Sequence, residues 1–304
     1  MKRNFLFAGT IFLASQAYAA SDHTGDASAV AASFAQDTGE VMRIESAEYL
    51  RTYTQEIAAA ACYLYNDIDG SLSSELLKDA RDGFDLKLDA LINGNEALGI
   101  IGGEQRRKTL VKLEKLKAEW GEMAEATDTL LADPTSSDAV NVIKARNMEL
   151  FEMTDILVSD IEAQYANPAI IVQADVLLLE IVGRQAMMTQ KIAKDACKIF
   201  TGNDSQEIKD LLTGSVSIYE ASLNALLNGM PELGIQPAPN AEIAERLQDI
   251  QSDWATVRPI VDTLISGGEV DRDTQKFLFK HMVEEMVRLE DLSHAYAAHS
   301  KQLY

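Results

Sequence analysis

Apolar residues return every three or four positions along most of this chain. Leu50, Thr54, Ile57, Ala61 and Leu64 make one such stripe, and Leu110, Leu113, Leu116 and Trp120 make another. That spacing keeps side chains on one face of an α-helix, and no stretch alternates as a half-buried strand would. Breakers cut the pattern at Gly70 to Ser74, Gly94 to Gly103 and Asp133-Pro134, then at Gly202 to Ser205, Gly229 to Pro239 and Gly267-Gly268. The pattern therefore predicts about four helices in each half of the chain. Ser71 with Ser74 and Glu75, and Asp133 or Thr135 ahead of Ala139, are expected caps.

The two halves repeat. Thr54-Gln55-x-Ile57-Ala58-x-x-Ala61-Cys62 recurs, shifted by 135, as Thr189-Gln190-x-Ile192-Ala193-x-x-Ala196-Cys197. The same shift carries Ala90-Leu91-Ile92-Asn93-Gly94 onto Ala225-Leu226-Leu227-Asn228-Gly229, and Leu98-Gly99-Ile100 onto Leu233-Gly234-Ile235. Trp120 and Trp254 lie 134 apart. Landmarks in one order at nearly one spacing indicate a tandem duplication. The expected fold is all-α, two tandem antiparallel four-helix bundles over residues 41–167 and 168–304. Asn167-Pro168 marks the boundary, because the residue before proline is pushed out of helical geometry.

The amino terminus adds a compartment. Lys2 and Arg3, the apolar run from Phe5 to Ala14, and Ala17-Tyr18-Ala19 form the order of a secretory signal over residues 1–19, followed by a linker over 20–40. Cleavage after Ala19 would leave Ala20 first, not a lipid-bearing cysteine, so the expected location is the periplasm. The signal's apolar run is too short to span a bilayer. The other strongly apolar stretch, Ile170 to Val182, is interrupted by Gln173, Asp175 and Glu180, which are costly at a membrane centre. No membrane span is therefore expected. Without the signal the chain carries 25 basic and 48 acidic residues, a net −23. Such a surface repels phosphate backbones, so nucleic acid is not an expected partner.

The segment from Glu180 to Lys194 resembles the signature helix of the PilJ/NarX-like sensor domain. That domain is the periplasmic input module of type IV pili chemotaxis transducers and nitrate/nitrite sensor kinases. The family pattern runs approximately Ala-Gly-Arg-Gln-Arg-Met-Leu-Ser-Gln-Arg-Met-Ala, and Gly183, Arg184, Gln185, Met187, Gln190 and Ala193 match it. The first half keeps Arg51, Thr54, Gln55, Ile57 and Ala58, with Glu48 where the glycine would stand. The resemblance implies a helical bundle and a sensory role. It also implies an anion-contacting arginine at a position that falls on Ala186 here and on Arg51 in the first half. Members of the family normally continue through a membrane helix to a signalling module, so a chain ending at Tyr304 is expected to signal through a separate membrane-bound receptor or transducer.

Three residues are the candidate ligand-binding set: Arg51, Arg184 and Gln185. Gln185 falls in the apolar stripe Ile181, Met188, Ile192, Ala196 and Ile199, where a buried amide needs partners. Its ordinary role is a hydrogen bond to a neighbouring helix; the alternative is a small polar pocket shared with an arginine. Arginine suits a planar anion because its fork donates two parallel bonds, although most arginines on helix flanks pair with carboxylates. Cys62 and Cys197, at equivalent positions, would bridge if the bundles pack side by side. Each also sits beside the apolar stripe, where a buried thiol packs well, and free thiols are the expectation. Two Glu-x-x-His motifs for a di-iron bundle and a haem-binding Cys-x-x-Cys-His are both missing. His281-x-x-Glu284 alone does not close a metal site. Neither catalysis nor a cofactor is expected. The leading function is a periplasmic sensory protein that presents a small anionic ligand to a transducer. The alternative is an envelope or pilus scaffold with no small ligand.

Overall fold

The computed structural model describes residues 39–165 and 173–302. The expected signal and most of its linker, and the break at Asn167-Pro168, lie outside the described residues. Eight α-helices run through them: α1 Glu40–Tyr65, α2 Gly70–Asn93, α3 Arg107–Ala132, α4 Ser137–Tyr165, α5 Gln173–Phe200, α6 Gln206–Asn228, α7 Ala241–Ile265 and α8 Arg272–Gln302. The fold is all-α. Helices α1 to α4 pack as one bundle, α5 to α8 as another, and the two meet where α1 lies against α5.

Local chemistry repeats with the elements. After α2 and after α6 a single 3₁₀ turn is closed by a backbone bridge, Asn95 with Ile100 and Met230 with Ile235. Gly94 enters the first of these turns at φ +85°, and a Cβ there would lie 2.6 Å from the Gly102 carbonyl carbon. Only glycine fits such a position without strain. The tryptophans anchor equivalent packing. Trp120 stacks on Phe84 at 4.0 Å and donates its indole N–H to Asp85 at 2.6 Å. Trp254 lies 4.8 Å from Tyr219 and donates to Glu220 at 3.0 Å. A buried indole gives large apolar contact and still needs a partner for its donor.

α1 departs from the simple stripe. It buries Arg43, Glu48, Arg51, Gln55 and Glu56 along with its apolar residues, because α2, α4 and α5 cover it on three sides. Arg43 is spent on the loop after α2, donating to the carbonyls of Ile101 and Gly102 at 3.1 and 2.6 Å.

The cysteines depart from expectation. Cys62 and Cys197 form a disulfide, with their α-carbons 6.2 Å apart. Side-by-side packing of α1 and α5 brings them within the roughly 7 Å a bridge can span, which the sequence pattern does not reveal.

Candidate functional site

The contact between α1 and α5 pairs equivalent positions with each other. Cys62 bonds Cys197, and the Glu48 carboxylate lies where a Cβ on Gly183 would meet it at 2.6 Å. Both pairs are separated by the repeat shift of 135. Contact of like with like is the signature of a two-fold arrangement. Because Glu48 meets Gly183 near one end and Cys62 meets Cys197 near the other, α1 and α5 run parallel. Glu48, Gln55 and Cys62 are seven residues apart, as are Gly183, Gln190 and Cys197, which is the repeat of two helices wound along one seam. Small residues permit the close approach: Ala58, Ala61, Ala193 and Ala196 are all buried.

The two halves have diverged along this seam, and the polar groups come mostly from α1. Arg51 is 0% exposed, and its Nη1 donates to Asp155 Oδ1 of α4 at 3.1 Å. Its Nε and Nη2 are buried with no hydrogen-bond partner among the described residues. Arg184, on α5 and partly exposed, reaches the same Asp155 oxygen at 3.7 Å and Glu180 at 3.1 Å. Two of the three candidate residues therefore converge, through a carboxylate that periodicity did not single out. Gln185 does not join them. It is buried within the second bundle, donating to the backbone carbonyl of Tyr219 on α6 at 2.8 Å, the ordinary bond to a neighbouring helix.

Carboxyl groups surround the arginines. Burial pushes Glu48 up to about 8, against the pull of Arg51. Burial, assisted by the charge of Glu180, raises Glu162 to about 7. Both shifts reduce the negative charge that would otherwise face a bound anion.

A second polar group crosses the seam from the other side. Lys194 of α5 is 3% exposed and donates to Gln55 Oε1 at 2.5 Å and Asn147 Oδ1 at 2.9 Å, both in the first bundle. Asn147 in turn donates to the Thr54 carbonyl at 2.7 Å. Burial lowers the Lys194 amine to about 7. Burial works to raise Asp195, but Lys194, Lys191 and Lys198 outweigh it and hold that carboxylate low. The position equivalent to Lys194 is Ala59, so this tie has no counterpart in the other direction. Among the described residues no group of three or more His, Cys, Asp or Glu is placed to hold a metal ion. His281 turns its Nδ1 to the Phe277 carbonyl at 3.0 Å.

Residues 173–275 match the family model for the type IV pili methyl-accepting chemotaxis transducer N-terminal domain, PilJ. This chain carries a PilJ-type domain. The matched span takes in α5, α6, α7 and the start of α8. Protein PilJ of Pseudomonas aeruginosa is a relative, 22% identical over 200 residues that cover 63% of this chain. Those residues make up 27% of PilJ, so the chain spans about a quarter of that relative's length. The PilJ chemotaxis transducer domain family is a sensory, non-catalytic kind of protein. No described helix is long and apolar enough to cross a membrane.

Proposed function

We propose that this protein is an exported sensory or interaction module of a type IV pili chemotaxis system, working through a separate membrane-bound transducer. The PilJ-type domain over residues 173–275 carries this reading. The first half supplies the same order of helices, and we take the chain as two PilJ-like copies, 41–167 and 168–304, paired through their first helices. Export to the periplasm is supported by the signal pattern of residues 1–19 and by the Cys62–Cys197 bond, since disulfides persist in oxidising compartments.

For the ligand, the proposal is a small planar anion of the nitrate or nitrite kind, met by Arg51 and Arg184 in exchange for Asp155. Gln185, already bonded to Tyr219, would border the site and not contact the ligand. Calorimetry and thermal unfolding with nitrate, nitrite and small carboxylates test this on the native chain, Arg51→Ala and Arg184→Ala. Saturable stabilisation that both variants lose is the expected result, because a ligand bound only to the folded state must raise stability. Binding left intact in both variants would move the site elsewhere. The scaffold reading draws on the protein partners that all three candidates already possess. Titration against the periplasmic part of a PilJ-type transducer, with no anion dependence, would favour it.

A further inference from the structure

On the face of the seam towards α8, a small cleft opens between α1, α5 and α8. Its walls include Glu45, Glu48, Tyr49 and Thr52 from α1 and Glu290 and Ser293 from α8, with Gly183 of α5 against Glu48. The cavity is about 30 Å³. That is room for roughly two water-sized groups at about 10–15 Å³ each.

The charges of this cleft do not balance. Glu45 is paired with His294 at 3.2 Å. Burial raises Glu290 to about 7, against the pull of His294 and Lys87, and the Lys87 ammonium lies 4.6 Å from the centre of the Tyr49 ring. Glu48 has only the pull of Arg51, which burial outweighs. It is 7% exposed and, among the described residues, its Oε1 makes no hydrogen bond and the one hydrogen bond of Arg51 goes to Asp155. A buried carboxylate oxygen without a donor is costly and calls for a cation or a proton. Glu48 stands there only because its counterpart is a glycine, since any side chain at position 183 would occupy the same space.

We propose that this cleft binds a small ammonium-type cation, ammonium itself or a methylammonium head. Carboxylate and hydroxyl oxygens of Glu48, Glu290, Thr52 and Ser293 would accept its N–H bonds. The volume excludes a fully methylated ammonium, which also has no N–H to donate. The absence of a metal-holding cluster among the described residues separates the site from a divalent-metal centre. The site does not depend on the sensory reading, and its ligand is opposite in charge to the anion assigned to the arginines.

Binding would displace the proton of Glu48 to solvent. The charged groups acting on Glu48 and Glu290 are Glu45 and Arg51 from α1, Lys87 from α2, Glu162 from α4, Glu180 from α5, and Asp291 and His294 from α8. The test is thermal unfolding and calorimetry of the whole chain at pH 8 with ammonium, methylammonium, tetramethylammonium and sodium chlorides at equal ionic strength. Ammonium and methylammonium should raise the melting temperature saturably, with proton release detected as a dependence of heat on buffer. Glu48→Gln should abolish the shift and Glu290→Gln should weaken binding about tenfold. Glu48→Gln keeps the side chain's shape, and Glu290→Gln provides an independent check should the first variant fold poorly. Equal shifts with sodium or tetramethylammonium, or an unchanged response in Glu48→Gln, would overturn the assignment.

Discussion

Removing the Cys62–Cys197 bond by the double substitution Cys62→Ala and Cys197→Ala should cost a large fraction of this protein's stability. The bond closes a sequence separation of 135 residues. The chain-entropy relation for a loop of that size gives about 5 kcal/mol at 25 °C, and native disulfides commonly contribute about 2–5 kcal/mol. Cys62 and Cys197 are 6% and 0% exposed, so truncation also leaves a small unfilled volume that adds to the loss. The fold should persist, because the Lys194–Gln55 bond and the Glu48–Gly183 contact still join α1 to α5 and the Lys194–Asn147 bond joins α5 to α4. Urea unfolding followed by helical circular dichroism, on oxidised native chain and double variant, measures the difference. A loss of about 3–5 kcal/mol is expected on these grounds. A loss under about 1 kcal/mol would refute the bond's role in holding the two halves together.

Gly183→Ala should destabilise by up to about 2 kcal/mol, since overpacking costs about 1–3 kcal/mol where its Cβ meets the Glu48 carboxylate at 2.6 Å, offset by about 1 kcal/mol of helix propensity. Adding Glu48→Ala should recover much of that loss in a double-mutant cycle, and strict additivity would contradict the pairing of the two residues. Glu48, raised from 4.5 to about 8, favours the folded state most below its ordinary value, and that contribution fades as pH rises through about 8. Melting curves from pH 5 to pH 9 should therefore show native chain losing more stability than Glu48→Gln, and parallel curves would count against it. Arg51→Met should stay within about 1 kcal/mol of native stability in urea, because the cost of removing one member of a buried pair comes from stranding the other charge in the interior, and here that other charge is not fully buried. Asp155 retains Arg184 and partial exposure to water. A loss of several kcal/mol would make Arg51 a structural residue first.

The helices and their breaks were legible because each is a local event. Gly94 and Gly229 end α2 and α6 at equivalent turns, and both have positive φ. The start of α2 was read less well: Asp69 precedes it and Ser71 lies inside, since neighbouring polar residues compete for the cap. The site was legible only in part. Arg51 and Arg184 could be chosen from the family pattern, but their meeting at Asp155 depends on how α4 packs, which periodicity within one helix does not encode. The same limit explains the disulfide, since the choice of partner for α1 lies between helices. Glu48 was visible as a departure from the expected glycine. Its significance required knowing that Gly183 faces it across the seam. Lys194 lay inside the quoted signature, with nothing to show that it enters the opposite bundle.

Intact mass of the protein recovered from the envelope of its native cells, without reductant and with free thiols alkylated, bears on compartment and seam together. The account predicts a chain that begins at Ala20, is lighter by two hydrogens than the reduced form, and takes up no alkyl group until it is reduced. Residues 1–19 retained, or two alkylated cysteines at positions 62 and 197, would contradict it.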